Sequence, residues 1–165
     1  MLFNPGEKIF FKINTNLSLL GSSLFIACLA FSTFSFSKEI VISPGDDSQE
    51  RLQEAMILMS EGDTLVIKSG YYSFEDGLSL DVDNVIITGE GMDKTILDFK
   101  DQKSGAQGLL VTSDKVTLKD FAILDAKGDA LKVIGTKGIN MINLRTEWTG
   151  GPKSSNGAYG FYPVE

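Results

Sequence analysis

Apolar and polar residues alternate along two neighbouring stretches of this chain, and the two stretches match. Gly108–Gly128 reads GLLVTSDKVTLKDFAILDAKG and Ala130–Gly151 reads ALKVIGTKGINMINLRTEWTGG. Leu109 falls on Leu131, Val111 on Val133, Val116 on Ile139, Leu118 on Met141, Asp120 on Asn143 and Phe121 on Leu144. The offset is 22 to 23 residues, with one residue inserted in the turn. Period-two alternation rich in Val, Ile, Leu and Thr, broken by Gly, Asp, Asn and Lys, is the pattern of short strands between turns. Repetition at this period predicts a β-solenoid, in which each copy buries its apolar face against the next.

The pattern changes upstream. Lys38–Ser43 alternates and reads as a short strand, and Pro44–Asp47 reads as a turn. Asp47 or Ser48 then caps a predicted helix over Gln49–Ser60. Leu52, Ala55, Met56, Leu58 and Met59 fall at helical spacing, Glu50 lies in the first turn, and Gly62 stands where a left-handed C-cap belongs. An open ladder end pairs with other chains unless it is covered, and this helix suits that cover, with Met56 and Met59 in its core.

A strand over Thr64–Ile67 leads through a Gly turn to Tyr71 and Tyr72. A third copy follows: Leu78 and Leu80 correspond to Leu109 and Val111, and Val85 corresponds to Val116. Its spacing is 31 residues. The excess is assigned to a turn over Gly91–Asp98, because ladders cannot absorb extra residues without losing register. A fourth copy opens at Gly157, after a long turn over Thr149–Asn156, and is unfinished at Glu165. Residues 38–165 are therefore expected to form the N-terminal rungs of a longer, truncated solenoid.

The N-terminus obeys a different pattern. Lys8 and Lys12 precede an uncharged stretch, and Leu17–Phe36 is dominated by Leu, Phe, Ile, Ala and Ser. Ser35 and Ser37 sit where a signal peptidase looks for small residues, so residues 1–37 read as a signal peptide and the protein as exported to the periplasm, cell surface or medium. The run also approaches the length of a membrane anchor. Leu24–Cys28 loosely resembles a lipoprotein processing site, which would leave a lipidated Cys28 as the new N-terminus. After cleavage at Ser37 no transmembrane span and no cysteine remain, which excludes disulfides and Cys-based metal sites. Removing Lys8, Lys12 and Glu7 from 15 basic and 22 acidic residues leaves 13 and 21, a net charge of −8. That balance disfavours nucleic acid, whose binding depends on neutralising phosphates.

The helix followed by Gly62-Asp63-Thr64-Leu65-Val66-Ile67 and Gly70-Tyr71-Tyr72 resembles the opening of right-handed parallel β-helix proteins of the pectin-lyase-like superfamily. Asp83-Asn84-Val85-Ile86-Ile87-Thr88-Gly89-Glu90-Gly91 is similar to their next rung. Trp148-Thr149-Gly150-Gly151-Pro152, with Asn156–Val164, resembles one bacterial group of exported parallel β-helix repeat proteins. The resemblance spans essentially all of residues 38–165 and implies an all-β, right-handed parallel β-helix with a short N-terminal capping helix. It also implies Asp120 and Asn143 as rungs of a turn ladder; ordinary solvent-facing turn residues are the alternative.

For activity the resemblance implies polysaccharide lyases, polygalacturonases or mannuronan epimerases. The chain departs from their motifs: it has no histidine, no Arg-x-Lys, no Asp-Pro-His-Asp, and only Arg51 and Arg145 as arginines. Without histidine, general acid–base chemistry is left to carboxylates, Lys, Arg or Tyr. No residue is assigned a catalytic role. Arg145, Trp148, Tyr159 and Tyr162 are candidate substrate-binding residues, the aromatics through stacking on sugar rings. Asp125 and Asp129, flanking a Gly turn, are candidate oxygen ligands for Ca²⁺, or ordinary turn residues. The expected function is binding or processing of acidic polysaccharide; a non-catalytic carbohydrate-binding or structural solenoid is the alternative from another class.

Overall fold

The computed structural model describes residues 37–165. The expected signal peptide over residues 1–37, with its alternatives of a membrane anchor and a lipidated Cys28, lies outside the described residues except for Ser37.

The described chain winds as a parallel β-helix. Its elements are β1 (Glu39–Ile42), α1 (Ser48–Leu58), β2 (Thr64–Ile67), β3 (Gly70–Ser73), β4 (Leu78–Leu80), β5 (Ile86–Thr88), β6 (Thr95–Asp98), β7 (Gln107–Val111), β8 (Thr117–Leu124), β9 (Asp129–Ile134), β10 (Asn140–Glu147) and β11 (Phe161–Val164). β2, β3 and β4 make one rung, and β5, β6 and β7 the next. The third rung is β8 and β9, the fourth β10 and β11. Every strand pairs in parallel with its equivalent one rung on. β8 and β10 are each eight residues long and turn a corner partway, so they join two files of strands into one seven-stranded sheet. The third file, β4-β7-β9-β11, forms a separate four-stranded sheet.

The register is the one the repeat predicts. Leu109 pairs with Leu131 and Val111 with Val133; Leu118 pairs with Met141 and Phe121 with Leu144; Leu78 pairs with Leu109. Alternate residues point inward and stack as columns: Leu65, Ile87 and Leu118 in the first file; Tyr72, Leu97 and Ile123 in the second; Leu78, Leu109 and Leu131 in the third. All nine are at most 1% exposed, and each such side chain contributes about 1.5–3 kcal/mol relative to exposure. Phe74 and Phe99 stack across adjacent rungs at the second corner, ring centroids 4.8 Å apart.

Two corners carry ladders. Asp120 and Asn143 adopt φ of 62° and 49°, a left-handed turn that Asp and Asn enter more readily than other side chains. Asn143 Nδ2 donates to Asp120 Oδ1 at 3.0 Å, so the ladder reading of this pair is what the structure shows. At the third corner Asp83 accepts from the Asp114 backbone N–H, and Asp114 from that of Lys137, both at 2.7 Å. This second ladder is not foreseen by the repeat alignment.

Three expectations change. α1 ends at Leu58 because Met59 takes an extended backbone and carries its side chain into the core; Gly62, at φ 90°, serves the next turn and bonds to the Asn84 carbonyl instead of capping the helix. Leu58 lies outside the apolar face, with Leu52, Ala55 and Met56 inside. Thr95–Asp98, expected within a turn, is strand β6, paired with β3 and β8. The second rung's excess length is instead divided between corners 89–94 and 99–106.

Candidate functional site

Outward-facing side chains and corner loops supply the candidate chemistry, because the interior is filled. The second corner is the one that varies most: residues 74–77 in the first rung, 99–106 in the second, 125–128 in the third and 148–160 in the fourth. In the third rung the corner is tight. A Cβ at Gly128 would meet the Ala106 carbonyl oxygen at 1.7 Å, and one at Gly157 would meet the Gly128 carbonyl oxygen at 1.6 Å. Only glycine lets the rungs close at these points. The flanking residues then spread outward around an open cleft of about 710 Å³, lined by Lys100, Asp125, Lys127, Trp148, Lys153 and Asn156 among others.

Hydrogen bonds between rungs hold this cleft. Buried Gln102 donates from Nε2 to the carbonyls of Ser104 (2.9 Å) and Gln107 (3.0 Å), and its Oε1 accepts from the Lys127 backbone N–H at 3.0 Å. It thereby fixes the shape of one corner and the height of the next. Asp125, at φ 52°, accepts from the backbone N–H (2.7 Å) and hydroxyl (2.6 Å) of Thr149, anchoring the start of the 148–160 loop. Half-buried Trp148 packs against the core, and its Nε1 donates to the Ala126 carbonyl at 2.7 Å. Asn156 Nδ2 donates to the Gly151 carbonyl at 2.9 Å and closes the loop on itself.

The structure brings some of the expected residues together and separates others. Trp148 and Asp125 share the cleft. Tyr159 and Tyr162 stack on each other, centroids 4.5 Å apart, and the ammonium of Lys132 sits 5.2 Å from the Tyr162 ring centre. Lys132 and Tyr162 are paired on the third file, so this aromatic group lies on that sheet's outward face. Arg145 belongs to neither place. It lies on β10, paired with Ala122 of the second file, with ion pairs to Asp93 (3.6 Å) and Glu147 and a hydrogen bond to the Met92 carbonyl at 3.2 Å. Its charge is taken up by carboxylates from two rungs.

Asp125 and Asp129 stand at the two ends of the third rung's second corner. Asp125 spends both carboxylate oxygens on Thr149, and Asp129 opens β9 opposite Gln107. Among the described residues no group of three or more Asp, Glu, His or Cys is arranged to hold a metal ion.

Three lysines are the residues that sequence reasoning missed. Lys100, Lys127 and Lys153 come from the second corners of three successive rungs and line one cleft. Their side chains are exposed, whereas the one carboxylate lining the cleft is occupied by Thr149. The chain carries a net charge of −7, yet this cleft is locally cationic. Three ammonium groups beside an indole can hold anionic groups attached to a ring-shaped skeleton.

No family model matches the chain, and no curated protein matches it in sequence. Among solved structures, the PL6 family alginate lyase AlyGC is similar over 78% of this chain, with a TM-score of 0.56 and 20% identity. The chain spans 18% of that enzyme's length. A mutant of the same enzyme aligns over 67% of this chain and 19% of its own at 17% identity, with a TM-score of 0.45. At these identities the likeness is one of fold.

Proposed function

We propose that this chain is part of an exported parallel β-helix protein that binds or processes acidic polysaccharide, and that the second-corner cleft is where it does so. The observation that carries this reading is the meeting of Lys100, Lys127 and Lys153 with Trp148 in one cleft of an otherwise acidic chain. Lysines supply point charges for anions, and an indole supplies an apolar face for a sugar ring. The neighbouring fold belongs to an enzyme described as an alginate lyase, which agrees with a carboxylated polymer as ligand.

A second reading, binding without turnover, is favoured by Arg145. It is the candidate cation on the solenoid face, and Asp93 and Glu147 already neutralise it. The chain also lacks histidine, so a proton-abstracting base would come from Lys, Tyr or a carboxylate.

Calorimetric titration with alginate, polygalacturonate and a neutral glucan tests the proposal, with parallel absorbance readings for the unsaturated ends that β-elimination leaves. Binding of the uronates but not the glucan, weakened by added salt and by Trp148→Ala, is the expected result. Failure to bind any acidic polysaccharide would overturn it. Binding with no rise in absorbance would leave the non-catalytic reading.

A further inference from the structure

We infer that Gly150 sets the preference of the cleft for an anionic ring: its missing side chain leaves the seat in which the Lys153 ammonium rests, on the loop that carries Trp148. This rests on the reading of the protein as a binder of acidic polysaccharide and names the residues that recognise the acid.

Glycine stands at these corners for different reasons. Gly151 takes a φ of 73°, a left-handed conformation that favours glycine, and Gly128 and Gly157 lie against backbone of a neighbouring rung. Gly150 has neither constraint. Its φ is not positive, and outside its chain neighbours a Cβ there would meet only Lys153 within 4 Å, Nζ at 2.7 Å and Cε at 3.3 Å. Side chains do not pack that closely, so any larger residue displaces the ammonium. The seat itself is fixed to the solenoid. The Gly151 N–H donates to the Trp148 carbonyl and the Asn156 N–H to the Lys153 carbonyl, both at 3.1 Å, so 148–151 and 153–156 form two turns. Asn156 Nδ2 joins them through the Gly151 carbonyl. Asp125 and the Ala126 carbonyl hold Thr149 and Trp148 to the third rung. Gly150, Lys153 and Trp148 all line the cleft, and among the described residues Lys153 has no carboxylate partner. The fold therefore leaves the seated charge for a ligand. An ammonium placed in advance loses less freedom on binding than one sweeping through solvent. A sugar ring stacked on Trp148, with its carboxylate turned to Lys153, uses both groups of this loop.

Calorimetric titration with a uronate oligomer, at low and at high salt, tests this on the purified protein, on Gly150→Ala, on Lys153→Gln and on the variant carrying both. Alanine suits the backbone at position 150, and only the flexible end of Lys153 has to move. Circular dichroism and thermal unfolding of Gly150→Ala should therefore match the parent. Gly150→Ala and Lys153→Gln should each weaken uronate binding about two- to fivefold, the size of one exposed ion pair, and the loss should shrink as salt is added. The double variant should bind no more weakly than either single one, because both changes remove the same seated charge. Lys100 enters the cleft from another corner, so Lys100→Gln combined with Gly150→Ala should multiply the two losses. Parent-like affinity in Gly150→Ala or in Lys153→Gln would overturn the inference, as would losses that multiply in their double variant. Unfolding of Gly150→Ala would overturn it too, since position 150 would then require glycine for the fold. Each of these results leaves uronate binding by the parent protein standing. No uronate binding by the parent would instead remove the proposed function beneath it.

Discussion

Gln102 is the residue on which the shape of the cleft depends most directly. It is fully buried, and its amide makes three hydrogen bonds, two to carbonyls of its own corner and one from the Lys127 N–H of the next rung. Each such bond contributes a net 0.5–1.5 kcal/mol or so. Replacing the amide by a methyl thioether of similar volume, Gln102→Met, removes all three while keeping the site filled. The loss is then about 1.5–4.5 kcal/mol, a large share of the 5–15 kcal/mol or so of a typical domain. With a urea slope of about 2 kcal/mol per M, the unfolding midpoint falls by roughly 1–2 M. Urea titration followed by far-ultraviolet circular dichroism measures this. Amide hydrogen exchange adds a local reading, since the Lys127 N–H loses its acceptor and should exchange faster than its neighbours in β9. A midpoint shift below about 0.3 M, with Lys127 protection unchanged, would refute the account of Gln102 as the tie between the two corners.

Phe74 and Phe99 are both fully buried and stacked; each single change to Ala should cost about 3–5 kcal/mol, and in a double-mutant cycle the pair should show a coupling of about 0.5–1.5 kcal/mol. Additive single losses would deny the stack any energy of its own. The Glu90 carboxyl is held down to about 2 by the Ser69 hydroxyl, then by Lys68 and the Ser69 N–H. Its folded value lies below the ordinary 4.5, so its contribution is complete above that pH and disappears as pH falls through about 2. Glu90→Gln should flatten stability across that acid window and leave its slope near neutrality unchanged, as read by thermal unfolding at a series of pH values. Asp125→Ala, which places alanine in a left-handed turn and frees Thr149, should lose at least about 1 kcal/mol. It should also shift Trp148 emission to the red as the 148–160 loop loosens; an unshifted spectrum would mean that Asp125 does not hold the loop.

Much of the fold was legible because a solenoid repeats its own burial pattern. Leu109 over Leu131 is a pair of buried inward positions, and Met141 repeats Leu118 in register although it stays exposed, so alternation and offset sufficed to find the register. β6 was not legible in the same way. It contributes one residue to the core columns, Leu97, and sits between two lengthened corners, so its four residues look like part of one long insertion. The end of α1 was misplaced for a related reason: Gly62 offers a left-handed turn wherever one is needed, and only the burial of Met59 shows that the helix has already stopped.

The candidate site divides along the same line. Trp148, Tyr159 and Tyr162 stood out as aromatics in a polar stretch, and the structure places them on the outside of the coil or in its cleft. Arg145 stood out as well, but three-dimensional pairing gives it to Asp93 across 52 positions of chain, which no local pattern announces. Lys100, Lys127 and Lys153 are separated by 27 and 26 residues and belong to no motif.

Alternation along the chain was enough to assign most inward columns of the strands and to say which repeat stacks on which, because period-two alternation and the size of apolar side chains are local properties that each rung must satisfy alone. Which outward residues share a surface was decided only by the tertiary structure. Corner lengths differ from rung to rung, and they set where Asp125, Trp148 and the three lysines stand relative to one another. A cluster of like charges has no inward column to reveal it. It exists only once the rungs are stacked at their fixed spacing and the loops between them have closed.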